Sequence, residues 1–206
     1  MIWRVHLETP QKKIILDARE ALNQGEVLIM PTDTVYAFVC SLEAPRAINE
    51  LYRLKNIPTT QHLSLLCRDV AMASKYSRSI PNHIFRFMKS VMPGPYTFIL
   101  PANREMDRRG TGKKKTVGIR VVDHPLHTAI MEQLDIPLVS TSITIEGEYA
   151  TDPEDLDAQY GHQVHAVLDG GIRYHDYSTI LDCTTGDFVL KRRGIGDVDS
   201  IDVIEE

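Results

Sequence analysis

Apolar residues recur along the chain at two spacings in turn, every third or fourth position and then in short unbroken runs, the pattern of helices alternating with buried strands. Behind Thr9-Pro10, a cap and first-turn pair, Ile14, Ile15, Ala18, Ala21 and Leu22 share one helical face, and Gly25 stands where a helix-ending glycine belongs. A helix over 10–24 is predicted. Val27–Met30 is a continuous apolar run closed by Pro31, which predicts a strand buried on both faces and central in a sheet. Pro45 opens a second helix with Ile48, Leu51, Tyr52 and Leu54, a leucine-rich strand covers 62–67, and the pair implies a crossover.

Pro81 begins a helix carrying Ile84, Phe87, Met88 and Val91, ended by the rigid Pro93-Gly94-Pro95 turn before a strand over 96–100. A strand over 117–122, a helix over 125–134 with Asp123 as its cap and a strand over 138–142 come next. Thr151-Asp152-Pro153-Glu154 has the capping-box pattern with proline at a helix start. Late strands are expected at 166–169, 179–183 and 188–191. Helices alternating with strands that later cluster predict one α/β domain, a twisted mixed sheet with flanking helices.

Composition agrees with a globular protein. Of 206 residues, 43% are apolar and 25% charged, and 23 Lys plus Arg against 28 Asp plus Glu leave a formal charge of −5. The longest apolar run, Val35–Cys40, is six residues, far short of the roughly 20 that a spanning helix needs, so no membrane partner is expected. Met1–Glu8 lacks a signal-peptide core, and a cytoplasmic location is expected. Cys40, Cys67 and Cys183 stand far apart and read as small packed hydrophobes rather than as disulfide or zinc partners.

Pro31-Thr32-Asp33-Thr34-Val35-Tyr36 follows a buried strand directly, where open α/β sheets bind ligands. The same residues also suit a plain Asx or Ser/Thr turn. Arg104, Arg108, Arg109, Lys113, Lys114 and Lys115 place six cations within twelve residues of an otherwise acidic chain, suited to a phosphate-rich partner such as RNA or simply to a solvated loop. Gly112-Lys113 does not make a P-loop, because Asp107 and Lys114 occupy its glycine and hydroxyl positions. His124 with His127, and His162 with His165, are three apart but lack a third ligand, and they read as capping or surface residues, so no metal site is assigned. Neither a G-x-S-x-G elbow nor a G-x-G-x-x-G turn is present.

Six segments occur in the order found in the YrdC-like domain: Pro31–Tyr36, Pro93–Thr97, Val117–Val121, Ser140–Ser142, Ser178–Ile180 and Arg192–Gly194. The chain resembles that family over 10–196, leaving 197–206 as an acidic C-terminal tail. The resemblance implies a twisted α/β fold with a positively charged concave face and an association with double-stranded RNA. The family's best-known activity forms threonylcarbamoyl-AMP from threonine, bicarbonate and Mg-ATP, with release of pyrophosphate, for tRNA modification. By that resemblance Thr32, Arg120, Ser142 and Ser178 hold a threonine-like carboxylate, Lys55, Thr116, Ser140 and Arg192 face the nucleotide, and Lys55 and Arg120 are the catalytic pair. A carboxylate suits a bidentate guanidinium, and a departing pyrophosphate suits fixed cations. Magnesium comes with ATP, and no tightly bound cofactor is implied.

Two departures bear on activity. Lys55-Asn56-Ile57 replaces the synthases' Lys-x-Arg, and Ser142-Ile143-Thr144 replaces their Ser-x-Asn. Arg53 and Arg68 are the candidates to restore the missing charge. With Ala37 where most synthases have glycine, the pattern resembles the YciO branch. The expectation is a nucleotide- and RNA-binding protein with weak or altered adenylate chemistry. The alternatives are a full synthase and an adenylating enzyme with a different acyl partner. Oligomeric state is not legible.

Overall fold

The computed structural model describes residues 1–108, 115–145, 147–173 and 176–205. Its first half runs β1 (Ile2–Arg4), α1 (Lys12–Asn23), β2 (Leu28–Met30), β3 (Ala37–Ser41), α2 (Pro45–Lys55), β4 (Ser64–Leu66), α3 (Val70–Ser74), α4 (Asn82–Val91), β5 (Tyr96–Pro101) and α5 (Arg104–Arg108). The second half is β6 (Thr116–Arg120), α6 (Pro125–Met131), β7 (Leu138–Ser142), β8 (Thr144–Ile145), β9 (Glu148–Tyr149), α7 (Pro153–Tyr160), β10 (Ala166–Asp169), β11 (Thr179–Asp182), β12 (Phe188–Arg192) and β13 (Val203–Glu205). Eleven strands form one mixed sheet in the order β1-β10-β2-β3-β7-β4-β6-β5-β11-β12-β13, and β8 and β9 form a separate hairpin. The expected mixed α/β sheet is therefore present.

Register across this sheet separates the core from the site. Cys40, Val139, Leu65, Ile119, Phe98, Leu181 and Leu190 lie side by side on seven successive strands, and all are buried. Successive side chains on a strand point to opposite faces. One step along, Ser140, Ser64 and Gly118 are paired neighbours on the other face. Two further steps place Ser142 and Arg120 on that same face. The hydrophobic row holds the sheet together while its reverse side carries small and polar residues, the floor of a groove.

Several terminations differ from expectation. Helix α1 starts at Lys12 after Gln11 rather than at Pro10, and ends as predicted at Gly25, whose φ of 79° is in the left-handed region. Asp152, not Thr151, caps α7, its carboxylate accepting the Glu154 amide at 2.8 Å. His124, not Asp123, caps α6, its Nδ1 accepting the Leu126 amide at 3.2 Å. Strand β2 is buried throughout but lies third from one edge instead of centrally.

The sheet extends beyond the 10–196 range at both ends. Strand β1 pairs with β10. The 197–206 segment, expected as a solvated tail, buries Val198 and adds β13 alongside β12. No helix among the described residues is long and apolar enough to cross a membrane. The three cysteines are buried and free, and burial pushes the Cys40 thiol up to about 12.

Candidate functional site

The loop between β2 and β3 is fixed from within. Thr32 Oγ1 donates to the Val35 carbonyl at 2.6 Å, accepts the Thr34 amide at 3.0 Å and meets Thr34 Oγ1 at 3.0 Å. Tyr36 anchors its far end, its hydroxyl donating to Gly171 O at 2.8 Å and accepting the Gly170 amide at 3.0 Å. A Cβ on Gly170 would lie 2.7 Å from Pro31, so the approach requires glycine there. Held this way, the loop presents Asp33 and Thr34 to the sheet face.

Arg120, at the end of β6, receives them. Its Nη2 donates to Asp33 Oδ1 at 2.7 Å and to Thr34 Oγ1 at 3.2 Å. Asp33 Oδ2 also accepts the Asp123 amide at 3.3 Å. The two side chains are 11% and 9% exposed, a buried ion pair. Burial pulls the guanidinium below the usual arginine value, Asp33 draws it back up and nearby Arg192 lowers it again. Nε is buried without a partner, and Nη1, unbonded among the described residues, is the donor left for a ligand.

Two further cations border the same cavity. Lys55 occupies the last turn of α2, which ends because Asn56 turns left-handed at φ 53°. Its Nζ donates to Thr144 Oγ1 at 3.0 Å, and burial lowers the ammonium from the ordinary lysine value. Arg192, at the end of β12, forks onto the Ser178 carbonyl at 3.1 and 2.9 Å, reaches Ser178 Oγ at 3.1 Å and Tyr149 OH at 3.3 Å, and lies 4.6 Å from the Tyr177 ring centre. Among the described residues, neither cation has a carboxylate partner.

The cavity has a volume of about 300 Å³. Thr32, Lys55, Arg120, Ser140, Ser142, Ser178 and Arg192, drawn from one helix, three strands and two loops, all line it. Thr116 does not; it borders a smaller apolar pocket with Tyr52, His62 and Met106. Thr32 turns out to spend its hydroxyl inside the loop, so its contribution is to shape the loop rather than to offer a free group. Of the six basic residues singled out between 104 and 115, Arg104 and Lys115 are exposed, Arg108 ends α5, and Arg109, Lys113 and Lys114 lie outside the described residues.

Ser64, Thr97, Tyr149 and the partnership of Lys55 with Thr144 were not anticipated. Ser64 carried a signal, a single hydroxyl at alternate spacing between Leu63 and Leu65. Arg53 and Arg68 do not restore the missing charge. Arg53 is engaged by Glu50, with its Nε at 2.9 and 3.0 Å, Arg68 by Asp69 at 3.3 Å, and neither lines the cavity. Ile57 packs against the hydrophobic core instead. His127, expected at the surface or in a cap, is buried within α6, whereas His162 and His165 are exposed.

Lys55, Arg120 and Arg192 line one cavity of an α/β protein, over a hydroxyl-bearing floor and with Asp33 as the carboxylate paired to Arg120, so positive charge predominates there. The Sua5_yciO_yrdC family model, described as Telomere recombination, matches residues 20–194, and the chain belongs to this family, which includes threonylcarbamoyl-AMP synthases. It is 36% identical to YciO of Escherichia coli K12 over 197 residues, covering 94% of this chain and 95% of that protein. The threonylcarbamoyl-AMP synthase of Vibrio vulnificus YJ016 is 32% identical over 170 residues, 81% of this chain and 91% of that one. The crystal structure of E. coli YciO superposes with a TM-score of 0.90 at 34% identity, covering 98% of both chains. Sua5 of P. abyssi in complex with L-threonine shares the fold, with a TM-score of 0.89 at 23% identity over 99% of this chain and 62% of that one.

Proposed function

We propose that this chain is a cytoplasmic nucleotide- and RNA-binding protein of the tRNA-modification class, with weak or altered adenylate-forming chemistry. The observation that carries this reading is the convergence of Arg120, Lys55 and Arg192 on one cavity. Arg120 Nη1 suits the carboxylate of a small amino acid such as threonine, which the P. abyssi relative binds. Lys55 and Arg192, with only neutral partners, suit phosphate oxygens. Magnesium is part of the substrate here, arriving on ATP and bridging its phosphates. The altered chemistry follows from Ile57, which supplies packing where a synthase has a second phosphate-binding cation, and from Thr144, whose hydroxyl already receives Lys55. A donor lost in the transition state costs about 10²–10³ in rate.

A working threonylcarbamoyl-AMP synthase is the second reading, favoured by the survival of Lys55, Arg120, Ser142, Ser178 and Arg192 around one cavity. One assay separates the two. Pyrophosphate release that requires threonine, bicarbonate and Mg-ATP together and disappears in Lys55→Ala establishes the synthase. Nucleotide binding without release at high protein concentration supports the binding protein. RNA binding through the 104–115 segment predicts log affinity falling linearly with log salt, at a slope near −0.9 per neutralised duplex phosphate. Replacing Lys113, Lys114 and Lys115 by alanine flattens that slope, and an unchanged slope removes the segment from the interface.

A further inference from the structure

Charge is divided unevenly along this chain. Residues 70–122 hold eleven lysines or arginines and two acids, Glu105 and Asp107, in a protein whose formal charge is −5. From Val70 to Arg104 there is no acid at all.

The fold gathers part of this excess at the end of β5. Arg78 donates its amide to the Pro101 carbonyl at 2.8 Å and its Nε to the Ala102 carbonyl at 3.0 Å. The Ala102 amide donates to the Lys115 carbonyl at 2.8 Å. Asn103 donates its amide to the Tyr76 carbonyl at 3.2 Å and its Nδ2 to the Lys75 carbonyl at 2.6 Å, while its Oδ1 accepts the Glu105 amide at 3.0 Å. Lys75, Arg78, Arg104 and Lys115 therefore leave the backbone around one three-residue hub, Pro101–Asn103. All four are exposed, and none is ion-paired to a carboxylate among the described residues. With Nε spent on the backbone, Arg78 keeps both Nη groups, the fork that suits a phosphate, unbonded among those residues.

The chemistry of the partner follows from what surrounds these cations. Like charges fixed close together repel one another, and a polyanion relieves that repulsion. A membrane-binding face sets apolar side chains beside its cations, but the exposed large apolar residues Met1, Leu7, Ile172, Ile195 and Ile204 all lie outside 70–122. Single-stranded nucleic acid is held by stacking on aromatic rings, and Tyr76, the aromatic residue at the hub, is buried. A duplex backbone, which asks for cations alone, fits best. The face also stands apart from the cavity. Thr116, paired with Pro101, comes four residues before Arg120, about 13 Å along β6.

We propose that Lys75, Arg78, Arg104 and Lys115 form a face that grips the phosphate backbone of double-stranded RNA, independently of base sequence and outside the nucleotide cavity. This rests on the RNA-binding reading and adds Lys75 and Arg78, remote in sequence, to the 104–115 segment.

Fluorescence anisotropy of the intact protein with an RNA duplex of about 20 base pairs, across about 50–200 mM salt, tests it. In Lys75→Ala/Arg78→Ala the slope of log affinity against log salt becomes shallower by about 2, at about 0.9 per lost phosphate contact, and affinity at about 100 mM salt falls at least about tenfold. Lys12→Ala/Lys13→Ala removes equal charge from exposed positions at the start of α1 and leaves the slope unchanged. Mg-ATP affinity of Lys75→Ala/Arg78→Ala stays within about twofold of the wild type, as expected for separate sites. An unchanged slope in that variant, an equal loss in Lys12→Ala/Lys13→Ala, or a parallel loss of Mg-ATP affinity overturns the proposal while RNA binding by the wild type stands. A wild-type protein that binds no duplex at about 50 mM salt removes the RNA reading and this face together.

Discussion

Asp33→Asn isolates the electrostatic core of the site, because asparagine keeps the shape and one acceptor oxygen while removing the charge. Asp33 meets Arg120 at 2.7 Å with both side chains about one-tenth exposed, 9% and 11%. The attraction between unit charges centred about 4 Å apart is about 4 kcal/mol at an effective dielectric near 20. Removing one member of a buried pair costs about 3–5 kcal/mol, since the remaining ion has lost its counter-charge but not its desolvation. Arg120 stays charged throughout. In a domain of this size the loss corresponds to a fall in melting temperature of roughly 6–20 °C. Urea unfolding followed by circular dichroism measures it, with an unchanged m-value showing that the native state is intact. A change of less than about 0.5 kcal/mol refutes the reasoning, because Arg120 would then be compensated by solvent and the pair would not organise the loop.

Burial holds His127 and His124 down to about 3 and about 4. A histidine with a depressed folded-state pKa makes the unfolded chain bind more protons, so stability is full above the unfolded value near 6.5 and falls as pH drops toward the folded values. Unfolding free energy is expected to decline by about 2 kcal/mol per histidine between neutrality and pH 5, and His127→Gln to remove about half of that decline. A flat profile contradicts the burial of both rings. Gly118 lies between Ser64 and Thr97, which line the cavity, and a Cβ there would lie 3.2 Å from Ser64 Oγ and 3.7 Å from Thr97. Gly118→Val is expected to weaken Mg-ATP binding about tenfold with the far-ultraviolet spectrum unchanged, because its branches displace Ser64 and Thr97 in the cavity lining; undiminished affinity places the nucleotide elsewhere. Ile57→Arg combined with Thr144→Asn is expected to raise pyrophosphate release by about 10²-fold, each change restoring a donor to the phosphates. No gain shows that these two positions do not limit turnover.

Where one face met water and the other the core, spacing in the sequence located the element: α1, α2 and α4 carry their apolar residues at helical intervals, whereas α7 was marked by its Asp152-Pro153 start. Elements buried on both faces or very short gave no such rhythm. Strand β3 is buried at every position, so its Ala-Phe-Val-Cys-Ser stretch has no alternation to read. Strands β1 and β13 have three residues each, and β8 and β9 two. The order of motifs named the cavity's residues but not their connections. That Lys55 would reach Thr144, or that Thr32 would satisfy its hydroxyl within its own loop, depends on chain segments brought together only by the sheet register. Thr116 shows the limit from the other side, since two residues along a strand separate it from Gly118 and place it over a different pocket.

The central claim is that one cavity holds a carboxylate at Arg120 and phosphates at Lys55. Calorimetric titration of the intact protein with L-threonine and with Mg-ATP, repeated in Arg120→Gln and Lys55→Ala, addresses it directly. The account predicts that both ligands bind the wild type, that Arg120→Gln chiefly abolishes threonine binding and that Lys55→Ala chiefly weakens Mg-ATP. Heat from neither ligand in the wild type, or threonine affinity untouched by Arg120→Gln, contradicts it.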